Sequence, residues 1–343
     1  MARWLLKAVA QKSISLLPYS DFWNGMLQRY VSGTLARLTP EWFAGKVLQG
    51  RRHLENYTAF ALRPAGALSA PGAVRSAGFQ PASGRAGFEP ASGEAGPSPS
   101  FTVFEVGTGW YPIVPVSLYL CGASRIWTVD RMPMLRRDRV LETLRCFADC
   151  ARSGKLATLL PRMRPDRLHV LRSTLDAGDA PLAEILRRMN IDYMPGDARH
   201  TGLPDGCADL VFSNLVLGYV RRELLPGIMA EFRRVVSPDG VMSHLIDMSD
   251  LYAAVDRRIT PYNFLRYSAP TWRLLNNDVQ HLNRLRITDY RELHEAAGFR
   301  IVHEECTPGS VETLKRVPLA REFRRYSPDD LAVLNAWIVS RPR

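Results

Sequence analysis

The stretch Phe101–Asp130, FTVFEVGTGWYPIVPVSLYLCGASRIWTVD, decides how the chain is read. Phe101, Val103, Phe104 and Val106 form an apolar run long enough for a strand buried on both faces. Glu105 stands near its end, and Gly107-Thr108-Gly109 follows at once. Tyr111–Cys121 is largely apolar and fits a short helix with Pro112 in its first turn and Gly122 as its stop. Ile126–Val129 is the next strand, and it ends on Asp130. A glycine turn between a parallel strand and a helix lets backbone approach a ligand closely, and the helix N-terminus favours negative charge. An acidic residue ending the following strand can accept hydrogen bonds from both hydroxyls of a ribose. The unit therefore points to a nucleoside-containing cofactor. In the dinucleotide fingerprint G-x-G-x-x-G the last glycine would fall on Pro112, which speaks against a dinucleotide.

Downstream, strand and helix alternate, which implies a parallel sheet with helices on both faces. Pro133–Cys150 reads as a helix with Leu135, Val140, Leu144 and Phe147 inward. Residues 151–190 read as an insertion, basic and irregular at first, with Ala180–Met189 helical. Ile191–Met194 is the third strand and closes on Pro195-Gly196-Asp197-Ala198. Cys207–Asn214 is the fourth. Glu223–Val236 has Leu225, Ile228, Met229, Phe232 and Val235 on one side, as an amphipathic helix requires. Val241–Ile246 is the fifth strand, Asp289–Ala297 a helix capped by Gly298, Arg300–Glu304 the sixth strand and Ala336–Ser340 a last one.

The series Glu105-Val106-Gly107-Thr108-Gly109, then Gly196-Asp197-Ala198, Leu203-Pro204-Asp205, Ala208-Asp209-Leu210-Val211 and Phe232–Gly240 resembles the motifs of class I S-adenosylmethionine-dependent methyltransferases over most of 101–343. Tyr111 stands where that family usually has a third glycine. The resemblance implies an α/β fold, a doubly wound, mostly parallel seven-stranded sheet with an antiparallel strand at its edge, and S-adenosyl-L-methionine as cofactor. It also implies roles. Gly107 and Gly109 would shape the cofactor loop with Glu105 beneath it. Asp130 would hold the ribose and Asp197 the adenine amino group, with the Ala198 amide beside it. Asn214 would face the methionine end.

Transfer to an oxygen or nitrogen acceptor is mainly a matter of in-line positioning, and a hydroxyl acceptor benefits from a base. His244 and Asp247, in HLIDMSD at the end of the fifth strand, are the candidate base and orienter. Residues 251–285 interrupt the strand–helix alternation and are rich in aromatic and polar side chains. They read as a cover over the acceptor, with Tyr262, Asn263 and Trp272 as candidate contacts and Tyr219, after the fourth strand, directed the same way. The alternative for each is ordinary packing.

The 343 residues, 46% hydrophobic, suffice for a sizeable core. Residues 1–63 read as a helical N-terminal extension, with Thr39-Pro40-Glu41 starting a helix whose stripe is Phe43, Val47, Leu54 and Tyr57. They carry nine Lys/Arg against three Asp/Glu, much of the net charge of +11, and so could touch an anionic surface. Residues 64–100 repeat AGFQPASGR and AGFEPASGE and are too poor in large apolar side chains to offset the entropy of ordering, so a disordered linker is expected. The five scattered cysteines and the absence of a secretory pattern suit a cytoplasmic protein with no metal site.

No Asn/Asp-Pro-Pro-aromatic tetrad follows the fourth strand and no Pro-Cys nucleophile is present, so a small-molecule acceptor is expected and no specific nucleic acid. Two other readings stand beside methyl transfer: an NAD(P)-dependent oxidoreductase of similar winding, and an inactive cofactor-binding partner protein with a basic docking segment.

Overall fold

The computed structural model describes residues 3–16, 38–61, 100–177, 179–278 and 280–343. Apart from Ser100, the repetitive stretch expected as a linker lies outside the described residues. Two N-terminal helices are described, α1 (Arg3–Ser15) and α2 (Pro40–Phe60). α2 begins as its sequence requires: the Thr39 hydroxyl accepts from the Trp42 amide at 3.2 Å, Pro40 occupies the first turn, and Glu41 lies at the positive end.

The decisive unit forms as β1 (Phe101–Val106), α3 (Ile113–Leu120) and β2 (Ala123–Asp130). Pro112 precedes the helix as its N-cap rather than sitting inside the first turn. α4 (Arg137–Arg152) follows, starting four residues later than expected. The first part of the insertion, expected to be irregular, is helical as α5 (Lys155–Leu159) and α6 (Pro165–Asp176), and the helix expected over 180–189 forms as α7 (Leu182–Arg188). Leu156, Leu168, Leu171, Ile185 and Leu186 are buried there, at spacings that the basic residues between them masked in the sequence.

β3 (Ile191–Pro195), β4 (Ala208–Asn214), α8 (Leu225–Val235) and β5 (Val236–Asp247) come next. α9 (Ala269–Leu275) lies within the cover, and α10 (Ile287–Ala296), β6 (Phe299–Pro308), α11 (Val311–Lys315), α12 (Pro328–Ala332) and β7 (Val333–Pro342) complete the chain. The seven strands form one sheet in the order β3-β2-β1-β4-β5-β7-β6, the doubly wound, mostly parallel class that was expected. β7 runs antiparallel, but it lies between β5 and β6, not at the edge.

Side chains of β1 alternate between two apolar layers. Phe101 and Val103 face the layer built by α2, α3 and α4, while Phe104 and Val106 face α8 and α10. The register aligns the carboxyl ends of the central strands: Val106 pairs with Val129 and with Ser213, and Asn214 pairs with Leu245. Gly107, Asp130 and Asn214 therefore emerge together at one edge, where open α/β sheets bind ligands. Over that end sits a third apolar cluster of Trp4, Ala8, Tyr252, Tyr262, Phe264, Trp272, Leu314 and Phe323. The wholly buried Arg286 ties this cover to the sheet by donating to the Met248, Leu331 and Val333 carbonyls at 2.5–2.6 Å.

Candidate functional site

The turn after β1 depends on its glycines. Gly107 has φ +87° and Gly109 φ +71°, and a methyl group on Gly107 would overlap the Val216 side chain. Gly107 donates its amide to Val129 O at 2.8 Å, which pins the turn to β2. Glu105 supports it from below. Its carboxylate accepts from the Thr128 hydroxyl at 2.8 Å and the Thr108 hydroxyl at 2.9 Å. Burial pushes the Glu105 carboxyl up to about 7, against the pull of those two hydrogen bonds.

Asp130 ends β2 beside this turn and is 6% exposed. Its carboxylate accepts from the Gly109 amide at 3.2 Å, and beside it stands the Tyr193 hydroxyl, which donates to the Met132 carbonyl at 3.1 Å. Burial outweighs these contacts and raises its pKa to about 6. Asp197 follows β3 and is half-exposed. It is held by Arg199, whose Nη2 lies 2.6 Å from Oδ2, and this pairing lowers its pKa to about 2. Ala198 beside it packs on the α8 side of the sheet. Asn214, at the end of β4, is nearly buried and donates from Nδ2 to Gln49 Oε1 at 2.9 Å. Its Oδ1 faces the buried His53 ring without reaching hydrogen-bond geometry.

The structure brings a second helix to this edge that the sequence did not mark as part of the site. α2 packs across α3, β4 and β5 and presents Lys46, Gln49, His53 and Asn56 along the stripe that also carries Val47 and Leu54. Lys46 lies within the field of Glu105 and over the Trp42 ring, with 5.7 Å from Nζ to the ring centroid. It makes no hydrogen bond or ion pair with a described residue. Burial pulls its pKa down to about 8, against the raising influence of Glu105. Deeper in, His53 and Asn56 both meet the Ser243 hydroxyl, at 2.9 and 3.0 Å. The available signal was a polar residue at every third or fourth position of an otherwise apolar helix face.

The expected base and orienter do not come together. β5 continues as a strand through Asp247, and residues three apart on a strand point to opposite faces. His244 is wholly buried on the α8 side, stacked on Phe232, with Nδ1 2.8 Å from the Ser213 hydroxyl. Its pKa is driven well below the ordinary value by burial, then by His294 and His53. It is a core residue and reaches no ligand edge.

Asp247 instead pairs with Tyr219. The phenol is hydrogen-bonded to the carboxylate and its pKa is raised, first by burial and then by Asp247. Asp247 Oδ1 accepts from the Ser249 amide and hydroxyl at 2.9 and 2.7 Å.

The three cover residues expected to touch the acceptor are also internal. Tyr262 is wholly buried and donates to Ala332 O at 2.9 Å. Trp272 donates from Nε1 to Leu282 O at 3.1 Å, and Asn263 donates to Asp250 at 3.3 Å. They build the cover's own core. A large aromatic residue in an insertion has to bury its apolar surface, and here its neighbours in the insertion provide the partner. Among the described residues no His/Cys/Asp/Glu group is arranged to hold a metal ion, and no helix is long and apolar enough to cross a membrane.

A family model described as "Methyltransferase domain" matches residues 152–243, the segment that contains β3, β4, α8 and the first part of β5. No curated protein matches the chain. Among solved structures, the chain is similar to the YcgJ protein of Bacillus subtilis at 12% identity, over 71% of this chain and 93% of that one, with a TM-score of 0.36. It is similar to a 1,6-didemethyltoxoflavin-N1-methyltransferase of Burkholderia thailandensis at 12% identity, over 71% of each chain, with a TM-score of 0.36. A TehB-like S-adenosylmethionine-dependent methyltransferase of Corynebacterium glutamicum matches at 11% identity, over 72% of this chain and 83% of that one, with a TM-score of 0.34. Over residues 152–243 the chain is thus similar to the methyltransferase-domain family, and its seven-stranded sheet has the Rossmann-like fold of class I methyltransferases.

Proposed function

We propose that the protein transfers a methyl group from S-adenosyl-L-methionine to an oxygen or nitrogen atom of a small-molecule acceptor. One observation carries this reading: a buried carboxylate, Asp130, ends β2 directly against a positive-φ glycine turn and already holds the Gly109 amide. A carboxylate in that position suits two neighbouring ribose hydroxyls, each hydrogen bond being charge-assisted.

The residues around it fit the rest of the cofactor. Asn214 has a buried acceptor atom outside hydrogen-bond geometry, and Lys46 is a half-buried cation near Glu105 that makes no ion pair with a described residue. A zwitterionic amino acid has one group for each: its ammonium for Asn214 Oδ1 and its carboxylate for Lys46. Asp197 and the Ala198 amide, one strand beyond Asp130, would meet the adenine once Arg199 moves aside. The bound sulfonium supplies an electrophilic methyl group.

What the chain must add is alignment and, for a hydroxyl or protonated amine acceptor, a place for the proton. Asp247 is the group for that task. It lies at the end of β5, close to where β4 ends, and its carboxylate is held by Tyr219 and by Ser249. A carboxylate oriented from two sides presents a defined lone pair to an acceptor between the sheet edge and the cover.

Titration of the purified chain with S-adenosylmethionine, S-adenosylhomocysteine and NAD tests the reading. Binding of the first two and not the third is expected. Binding of NAD alone would move the protein to the oxidoreductases. Binding of the sulfonium with no labelled methyl group transferred to any small molecule of a cell extract would leave it a binding protein.

A further inference from the structure

We propose that the outward face of α1 docks on an anionic lipid bilayer. The inward face of this helix is settled by its contacts. Trp4 and Ala8 pack in the cover's apolar cluster, and Gln11 meets Tyr252 and Gln280. The face turned to solvent should then be charged. Instead it carries Leu6, Val9, Ser13 and Leu16, at intervals of three and four residues, with Leu6 53%, Val9 52% and Leu16 79% exposed. α1 contains no acidic residue, and Lys7 and Lys12 flank the apolar arc on its two sides. That is the pattern of a helix lying in a membrane interface, with lysines at the two edges of its apolar arc.

The cover brings a further exposed apolar side chain beside this helix. The Lys12 ammonium donates to the Asn276 carbonyl at 3.0 Å and to the Arg273 carbonyl at 3.4 Å, which fixes α1 against the end of α9. There Leu274 is 75% exposed, next to the exposed Arg273. At its other end α1 is joined to the cover by the Trp4 amide, which donates to Asp256 at 3.4 Å. The next two residues, Arg257 and Arg258, are exposed cations. Asp256, the acid of that corner, is buried and pairs with Arg258 at 2.8 Å. Exposed leucine and valine bracketed by arginine and lysine, with no exposed acid within α1 or α9, complement an anionic interface and not a neutral one. The surface lies on the cover, so docking would bring the lid of the cleft to the bilayer. The inference stands apart from the methyl-transfer reading, because lipid binding needs no cofactor.

Co-sedimentation of the full chain with vesicles tests it, using phosphatidylcholine alone and phosphatidylcholine mixed with phosphatidylglycerol. Binding to the mixed vesicles and not to the neutral ones is expected, weakening as salt rises because the attraction is screened. The double variant Leu6→Glu/Val9→Glu should bind at least about tenfold more weakly while unfolding at the same temperature. Leu274→Glu, on a different helix, should show the same loss and keeps the test readable if the α1 variant does not fold. Failure of the unaltered chain to bind mixed vesicles, or full binding by both variants, overturns the proposal. So does a lower unfolding temperature in both variants, which would mean that the chain itself covers the face. A dimer in sedimentation velocity that the variants dissolve would assign the face to a second copy and overturn it as well.

Discussion

Replacing Asp130 by Asn should make the protein more stable without cofactor and worse at binding it. The two signs come from one cause. In the folded chain the Asp130 pKa is raised from 3.8 to about 6, chiefly by burial. Between those values the folded state binds more protons than the unfolded one, so stability falls as pH rises through this window. At neutral pH the charged carboxylate therefore costs folding up to about 3 kcal/mol, at ~1.4 kcal/mol per pKa unit. Asn removes that cost. It also replaces one acceptor oxygen by a donor, which weakens the contact with the Gly109 amide. A net gain on the order of 1 kcal/mol is expected, a rise in unfolding temperature of about 2–4 °C. The affinity for S-adenosylmethionine should fall about tenfold or more, since charge-assisted hydrogen bonds are worth ~1.5–3 kcal/mol and ~1.4 kcal/mol is a factor of ten. The unaltered chain should show the same dependence through pH, binding more weakly as pH drops below about 6 and the carboxylate takes up its proton. Calorimetric titration at several pH values, with thermal melts of both chains without ligand, gives the result. Unchanged affinity together with a lower unfolding temperature would make Asp130 a structural clamp on the glycine turn and refute the ribose assignment.

Three further outcomes follow from the same geometry. Lys46→Met should weaken S-adenosylmethionine about tenfold and affect NAD-type ligands not at all, while the melting temperature holds or rises, because an ammonium whose pKa burial has lowered to about 8 is removed; a melting temperature several degrees lower would show a structural lysine. His244→Ala should destabilise the chain by about 2–4 kcal/mol through the cavity left against Phe232, whereas Asp247→Asn should leave the melt unchanged and lower turnover about a hundredfold or more, a contrast that parallel melting curves and labelled-methyl assays read directly. Gly107→Ala should cost about 1–3 kcal/mol, since it forces φ +87° on a residue with a Cβ and drives that atom into Val216; an unchanged urea midpoint would show that the turn relaxes freely.

The fold was legible in the sequence because it rests on local signals. A six-residue stretch with four large apolar side chains, two glycines and a strand ending in Asp130 predict β1, the turn and β2, and the structure places β1 at the residues expected. The residues at the carboxyl edge could be named for a similar reason. In a parallel sheet the ligand edge is wherever strands end, and a strand end can be read from composition alone. Gly107, Asp130 and Asn214 emerge together as that rule requires.

What lay beyond local pattern was decided by the tertiary structure. His244 and Asp247 stand three residues apart whether or not the strand has ended between them, and only the ladder with β7, which runs on to Asp247, sets them on opposite faces. The aromatics of 251–285 were visible, but whether they faced a ligand or one another depended on partners such as Trp4 and Ala332, hundreds or tens of residues away. Lys46 and Gln49 precede the glycine turn by more than fifty residues, with the undescribed stretch between them, and nothing in either segment names the other. Sequence could mark each element by its own periodicity. The contact between α2 and the sheet edge, which turns a solvated-looking lysine into a half-buried cation in the field of Glu105, exists only once the whole sheet has formed.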